Sequence, residues 1–410
     1  MNISQQFAPP FRLVAPYFIT AVLVYFSTVI FLFSFDISTM HTLGNNTLAF
    51  VHLMLLGFVM MSIFGAMAQL VPVVLEVEHF AVELYYAIYP LLFIGTLLMV
   101  FGFYNTPVLL SFGGVIIFIS FLIFLAETFA TISKAKKLNF SFYAVLLANI
   151  FLLLGVIVGL IMAFGYSGFI DVDVNKLLNI HIYLVLYGYV GFSIIGMSYI
   201  LVPMFWLSHS FDKRFLQYSL YFLSAAIFFV SLGEYSYAVF SDLGYVLLVC
   251  TFCLYAYELY LIYKTRARVK KDIYYYYLLF FSFSLLLSLF LGIFYFFSND
   301  NQTLLLLGFV MFYGVLGSLI LGHFYKIIPF LIWFERFAPL VGKEKVPMLA
   351  EMVPKKSSAL LFFYNVTGFV LVTLAIAFEL KQIYLAGLSF MLMSALFLLK
   401  DTLYMINFKG

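Results

Sequence analysis

Twelve long apolar runs, joined mostly by short polar links, constrain this chain more than anything else in it. They fall at 14–35, 48–75, 84–103, 108–131, 142–166, 179–207, 215–240, 243–263, 273–297, 304–334, 358–380 and 383–407. About 20 apolar residues in a helix cross a bilayer, and hydrocarbon admits only backbones that satisfy their own hydrogen bonds. The runs therefore predict an all-α polytopic membrane protein of about twelve transmembrane helices. With 65% hydrophobic and 10% charged residues, the chain is far from the composition of a soluble domain. No small-residue cleavage site follows the first run, which reads as a retained helix.

An internal repeat divides the runs. Gly57, Gly65 and Pro72 recur as Gly188, Gly196 and Pro203, then as Gly314, Gly322 and Pro329, at offsets of 131 and 126 residues. Offsets of that size hold about four membrane helices. The expectation is one integral membrane domain, 1–410, of three direct four-helix repeats (about 1–137, 138–271 and 272–410) with pseudo-three-fold symmetry. Glu127 maps onto Glu258 at the first offset, as Gly102 does onto Gly233. The proline of each triplet kinks the second helix of its repeat, while the glycines admit a neighbouring backbone or a flat ligand.

Charge placement orients the chain. With both termini cytoplasmic, the inner loops receive Lys134, Lys136, Lys137, Lys213, Arg214, the run from Lys264 to Lys271, Arg336, Lys343, Lys345, Lys355 and Lys356, and the outer loops receive only Lys176 and Lys381. The expected location is a bacterial cytoplasmic (inner) membrane, with the lipid bilayer as the principal partner. Nucleic acid is not implied. Cys250 and Cys253, one helical turn apart, rule out a disulfide framework and act as small apolar residues more readily than as a soft-metal site.

Twelve helices in three four-helix units, and the stretch Gly196-Met197-Ser198-Tyr199-Ile200-Leu201-Val202-Pro203, resemble subunit I of the heme-copper oxidases. The likeness is greatest to the cbb3 and nitric-oxide-reductase branch and to NnrS-like relatives. It implies a low-spin heme held by histidines of the second and tenth helices, and a heme–copper pair held by histidines of the sixth, seventh and tenth. The chain has six histidines: His41, His52, His79, His181, His209 and His323. The seventh helix has none, and the tenth has only His323 near its inner end. The resemblance therefore implies the architecture without oxygen-reducing catalysis.

Two candidate sites remain. In the outer third of the membrane, His52 matches the second-helix ligand in location, and His181 stands seven residues before Gly188, a stripe on which a porphyrin edge fits. Heme b or copper is the cofactor this pair would hold. At the inner ends of the repeated helices, Glu78, His209 and Glu335 each follow a repeat proline by six residues, with Glu76, His79 and Asp212 nearby. This set has the donor types of a divalent-metal site or a proton relay. Glu127 and Glu258 are expected to snorkel or to pair with Lys134 and Lys264. The methionines Met54, Met60, Met61 and Met67 read as packing groups.

Two main classes of function fit. One is an oxidase-like, non-catalytic protein that binds heme or copper for respiratory metal handling, nitric-oxide response or electron transfer. The other is a transporter whose kinked, repeated helices line a path; a structural role beside respiratory-complex subunits is a third. Direct repeats of an even number of helices favour the first class, because they place every copy in the same orientation.

Overall fold

A computed structural model describes residues 9–40, 42–209 and 211–409. The described residues form helices and loops, with no strand beyond two isolated bridges. Among the described residues, twelve helices are long and apolar enough to cross a membrane: α1 Phe11–Leu32, α2 Asn45–Leu75, α3 Val82–Tyr104, α4 Val108–Ile132, α5 Phe140–Tyr166, α6 Val174–Trp206, α7 Arg214–Gly233, α8 Ala238–Lys264, α9 Ile273–Ser298, α10 Asn301–Arg336, α11 Lys355–Phe378 and α12 Lys381–Ile406. The chain is a polytopic membrane protein. Mid-helix side chains such as Phe228, Phe290 and Phe363 are more than half exposed, which lipid tolerates and water does not.

The sequence triplets recur as one unusual helix. In α2, α6 and α10 the middle of the helix widens into a π-helical segment, over Leu53–Met60, Tyr183–Gly191 and Val310–Gly317, before the α-helix resumes toward the proline. Gly57, Gly188 and Gly314 lie inside these segments. Each glycine is filled by a neighbouring helix rather than held open. A Cβ on Gly57 would stand 2.7 Å from Val24 of α1, one on Gly188 would stand 2.7 Å from Phe151 of α5, and one on Gly314 would stand 2.8 Å from Ser284 of α9. The second glycines repeat the pattern, with Gly65 against Tyr17, Gly196 against Ala144 and Gly322 against Tyr277. Glycine thus lets the first and second helices of each repeat approach closely.

The third and fourth helices of each repeat pair extensively: α3 with α4, α7 with α8, and α11 with α12. Glycines set these approaches too. A Cβ on Gly113 would lie 2.9 Å from the Met99 amide nitrogen, and one on Gly387 would lie 2.9 Å from that of Val372. By internal packing the described chain forms two compact units, 67–269 and 9–66 with 270–409, whose boundary falls inside α2. In the first unit α5 packs on α6 and on α4; in the second α1 packs on α12 and α9 on α10.

Helix ends follow local chemistry. Asn139, Asp173, Asp272 and Asp300 cap α5, α6, α9 and α10 by accepting backbone N–H groups of the first turn. At the other end, α2 and α6 stop alike. Glu76 and Leu207 take left-handed φ values of 55° and 54°, and Val77 and Ser208 donate to the carbonyls of Pro72 and Pro203.

Candidate functional site

His52 and His181 belong to different units. His52 immediately precedes the π-helical segment of α2 and is half-buried; its Nδ1 lies 2.8 Å from the Leu48 carbonyl oxygen. His181, also half-buried, approaches the Gly155 carbonyl of α5 with Nδ1 at 3.0 Å. Its ring fills the notch left by Gly159, where a Cβ would stand 2.7 Å from Cε1. A carbonyl only accepts, so in both residues Nδ1 carries the hydrogen. That arrangement is the one in which a backbone carbonyl orients a metal-ligating imidazole. The donor chemistry of each histidine therefore fits heme iron or copper.

The expected porphyrin slot at Gly188 does not form. Phe151 occupies the space beside Gly188, and the π-helical turn between His181 and Gly188 breaks the seven-residue stripe that a regular α-helix would give. The sequence carries no sign of this wider turn.

At the expected inner-end site, Glu78 and His209 are exposed. Glu335 is exposed but engaged: its Oε2 accepts the Phe11 backbone N–H at 2.5 Å, placing a carboxylate at the N-terminus of α1. Glu76 pairs with Lys137 at 3.6 Å, both largely in solvent. Asp212 binds the Arg214 guanidinium at 2.6 Å, and that bond holds its carboxyl below the usual range. Among the described residues, no three His, Cys, Asp or Glu side chains gather closely enough to hold a metal ion. His41 lies outside the described residues.

The chemistry at these helix ends lies instead on residues expected to be peripheral. Glu127 does not snorkel to Lys134. It is 2% exposed, and it meets His79 Nδ1 at 2.7 Å and the Thr131 hydroxyl at 2.8 Å. The His79 ring also reaches the Ala68 carbonyl with Nε2 at 2.7 Å, so Nε2 donates there and one shared proton joins Nδ1 to the carboxyl. Lys134 turns to the Glu78 and His79 carbonyls. Glu258 is fully buried rather than paired with Lys264, and it lies beside the Phe215 and Leu216 amides at the start of α7. Asp401, also fully buried, accepts the Tyr325 hydroxyl at 2.7 Å and adjoins the Ser357 hydroxyl at the start of α11.

These three carboxyls occupy one position. Each sits five or six residues before the end of the fourth helix of its repeat; Glu258 and Asp401 lie beside the first residues of the third helix, and Glu127 meets His79, three residues before it. Asp401 escapes a search at fixed offset because the loop 337–354 stretches the last interval to 143 residues. The shared position on the second helix explains how the partners differ. Tyr325 supplies a hydroxyl to Asp401 directly. Ala68 has no ring to offer, and His79 folds back over its carbonyl to serve Glu127. Tyr199 is drawn aside, its ring 4.6 Å from that of Phe140 with the Lys213 ammonium 4.4 Å from its centre.

Within the first unit, Met67, Phe124, Thr128, Asn149, Tyr189 and Ser193 line a cavity with room for about one water molecule. Asn149 donates to the Val145 carbonyl, and its Oδ1 is buried there without a partner. Compared with known family models and with curated protein sequences, the chain matches none.

Proposed function

We propose that this chain is an oxidase-subunit-I-like integral membrane protein that does not reduce oxygen and that holds heme b or copper at His52 and at His181, each as a ligand within its own unit. The observation that carries the proposal is the shared posture of the two imidazoles: each is held at Nδ1 by a backbone carbonyl, the posture in which a carbonyl orients a metal-ligating imidazole. When bound, such a group would supply one-electron chemistry or capture of a small diatomic ligand in the outer half of the membrane. The protein's own contribution is orientation. Leu48 and Gly155 orient the rings through Nδ1, and Gly159 gives the His181 ring its seat. Respiratory metal handling, nitric-oxide response and electron transfer, alone or beside respiratory-complex subunits, are the roles this chemistry serves.

An absorption spectrum of protein purified from heme- and copper-replete cells tests the proposal. Reduced protein should show sharp visible bands that weaken or shift in His52→Ala and in His181→Ala, or elemental analysis should show copper lost from both. Protein that holds neither group would overturn it.

The transporter reading has one observation in its favour. A buried carboxyl in every repeat is costly in a membrane and commonly marks ion or proton movement. Flux measured in vesicles separates this reading from the first.

A further inference from the structure

The cavity of the first unit, among α2, α4, α5 and α6, is lined by a side chain whose hydrogen bonding is incomplete. Asn149 of α5 is 3% exposed, and its amide nitrogen donates to the Val145 carbonyl at 2.8 Å. That bond identifies the nitrogen, so the atom left without a partner is the carbonyl oxygen, Oδ1. A buried acceptor of this kind is costly inside a membrane unless something donates to it. Thr128 of α4 and Ser193 of α6, both buried, bring hydroxyls to the same cavity, which has room for about one water molecule. No carboxyl, ammonium or imidazole lines it, so its chemistry suits a neutral occupant.

The repeated frame itself does not call for an amide here. Val24, Phe151 and Ser284 meet the first glycines of the three triplets, and Tyr17, Ala144 and Tyr277 meet the second, which sets the first helices of the repeats in register. In that register Asn149 stands where the first repeat has Val22 and the third has Ser282. Val22 is fully buried and has no polar group to satisfy, while the Ser282 hydroxyl closes on the Leu278 carbonyl of its own helix at 2.8 Å. Ser193 departs in the same way. Its counterpart in the first repeat, Ser62, donates to the Phe58 carbonyl at 2.6 Å, and its counterpart in the third is Leu319. Only the second repeat places an amide with an open oxygen and a serine hydroxyl around one cavity.

We propose that this cavity binds a single water molecule, which donates one hydrogen to Asn149 Oδ1 and bonds through its other hydrogen and its lone pairs to the Thr128 and Ser193 hydroxyls. A buried water commonly makes about three such bonds, and these three partners come from three helices. The water then links α4, α5 and α6 just beyond the π-helical segment of α6, whose last residue, Gly191, precedes Ser193 by two.

Two methionines that line the cavity, Met67 and Met197, provide the readout. X-ray radiolysis of the full chain in detergent turns bound water into hydroxyl radicals that convert adjacent methionines to the sulfoxide, counted residue by residue by mass spectrometry. Met99 and Met162 are the controls: they are 7% exposed, against 7% for Met67 and 6% for Met197, and they lie off the cavity. In wild type, Met67 and Met197 should oxidise about fivefold faster than the controls. Asn149→Val, which gives the second repeat the residue of the first, should bring all four to one rate. The Met99 and Met162 rates also report the fold of the variant, since unfolding exposes every methionine; if they rise, the wild-type comparison decides alone. Equal rates at the four methionines of wild type, or fast oxidation of Met67 and Met197 that persists in folded Asn149→Val, would overturn the proposal.

Discussion

His79 donates from Nε2 to the carbonyl oxygen of Ala68, eleven residues back, and thereby brings a hydrogen-bonding ring to Glu127 from outside the helix. In the last repeat Tyr325 delivers the same kind of group from within the helix, at the position Ala68 occupies in the first. One buried carboxyl is satisfied by two different routes, and the difference makes the first route easy to break.

Removing the His79 ring should destabilise the fold. Glu127 is buried, and loss of one member of a buried pair costs about 3 kcal/mol or more. His79→Ala should therefore unfold at a clearly lower temperature in detergent. The double variant His79→Ala with Glu127→Leu should recover part of the loss, because no uncompensated carboxyl remains. Equal melting of His79→Ala and wild type would show that the pair contributes little.

Close helix approach gives a second expectation. Gly113 leaves no room for a side chain against the Met99 backbone, so Gly113→Leu should cost about 1–3 kcal/mol by forcing α3 and α4 apart. Gly292, with open space where its Cβ would go, should accept Ala with no loss. Thermal unfolding of the two variants side by side measures the contrast.

The cap of α10 predicts a dependence on acid. The Ser298 and Thr303 hydroxyls and the Thr303 amide hold the Asp300 carboxyl down to about 2, from an ordinary value of 3.8. A depressed folded value means that the contribution is fully present above pH 4 and is lost as the pH falls toward 2. Asp300→Asn keeps an oxygen for the cap but does not titrate. Its melting temperature should change less between pH 4 and pH 2 than that of wild type.

Missing ligands predict missing catalysis. Oxygen reduction at a heme–copper pair needs several imidazoles, and α7 carries none. Purified protein given a reduced cytochrome or quinol should consume no oxygen above the donor's own rate; robust turnover by this chain alone would refute the ligand argument.

The helix count and the triplet repeat were legible in the sequence because hydropathy and the glycine and proline punctuation report them directly. What the glycines face was not legible. Gly188 could take a ligand or a helix, and only the position of Phe151 decides. The buried carboxyls were half visible. Glu127 and Glu258 stood in register, but their nearness to Lys134 and Lys264 along the chain suggested surface pairs. Burial is a tertiary property, and a histidine folding back from a loop leaves no periodic trace. Glu335 shows the same limit: the α1 amide that it caps comes from residue 11.

The π-helical turns of α2, α6 and α10 uncouple the two halves of each helix in phase. A π-turn closes its hydrogen bonds five residues on and an α-turn four, so each of these segments is wider than the helix on either side of it. Each of these helices thus behaves as two short rods joined by a widened collar. In α2 and α6 the histidine precedes the collar and the repeat proline follows it, so the two groups are set by different turns.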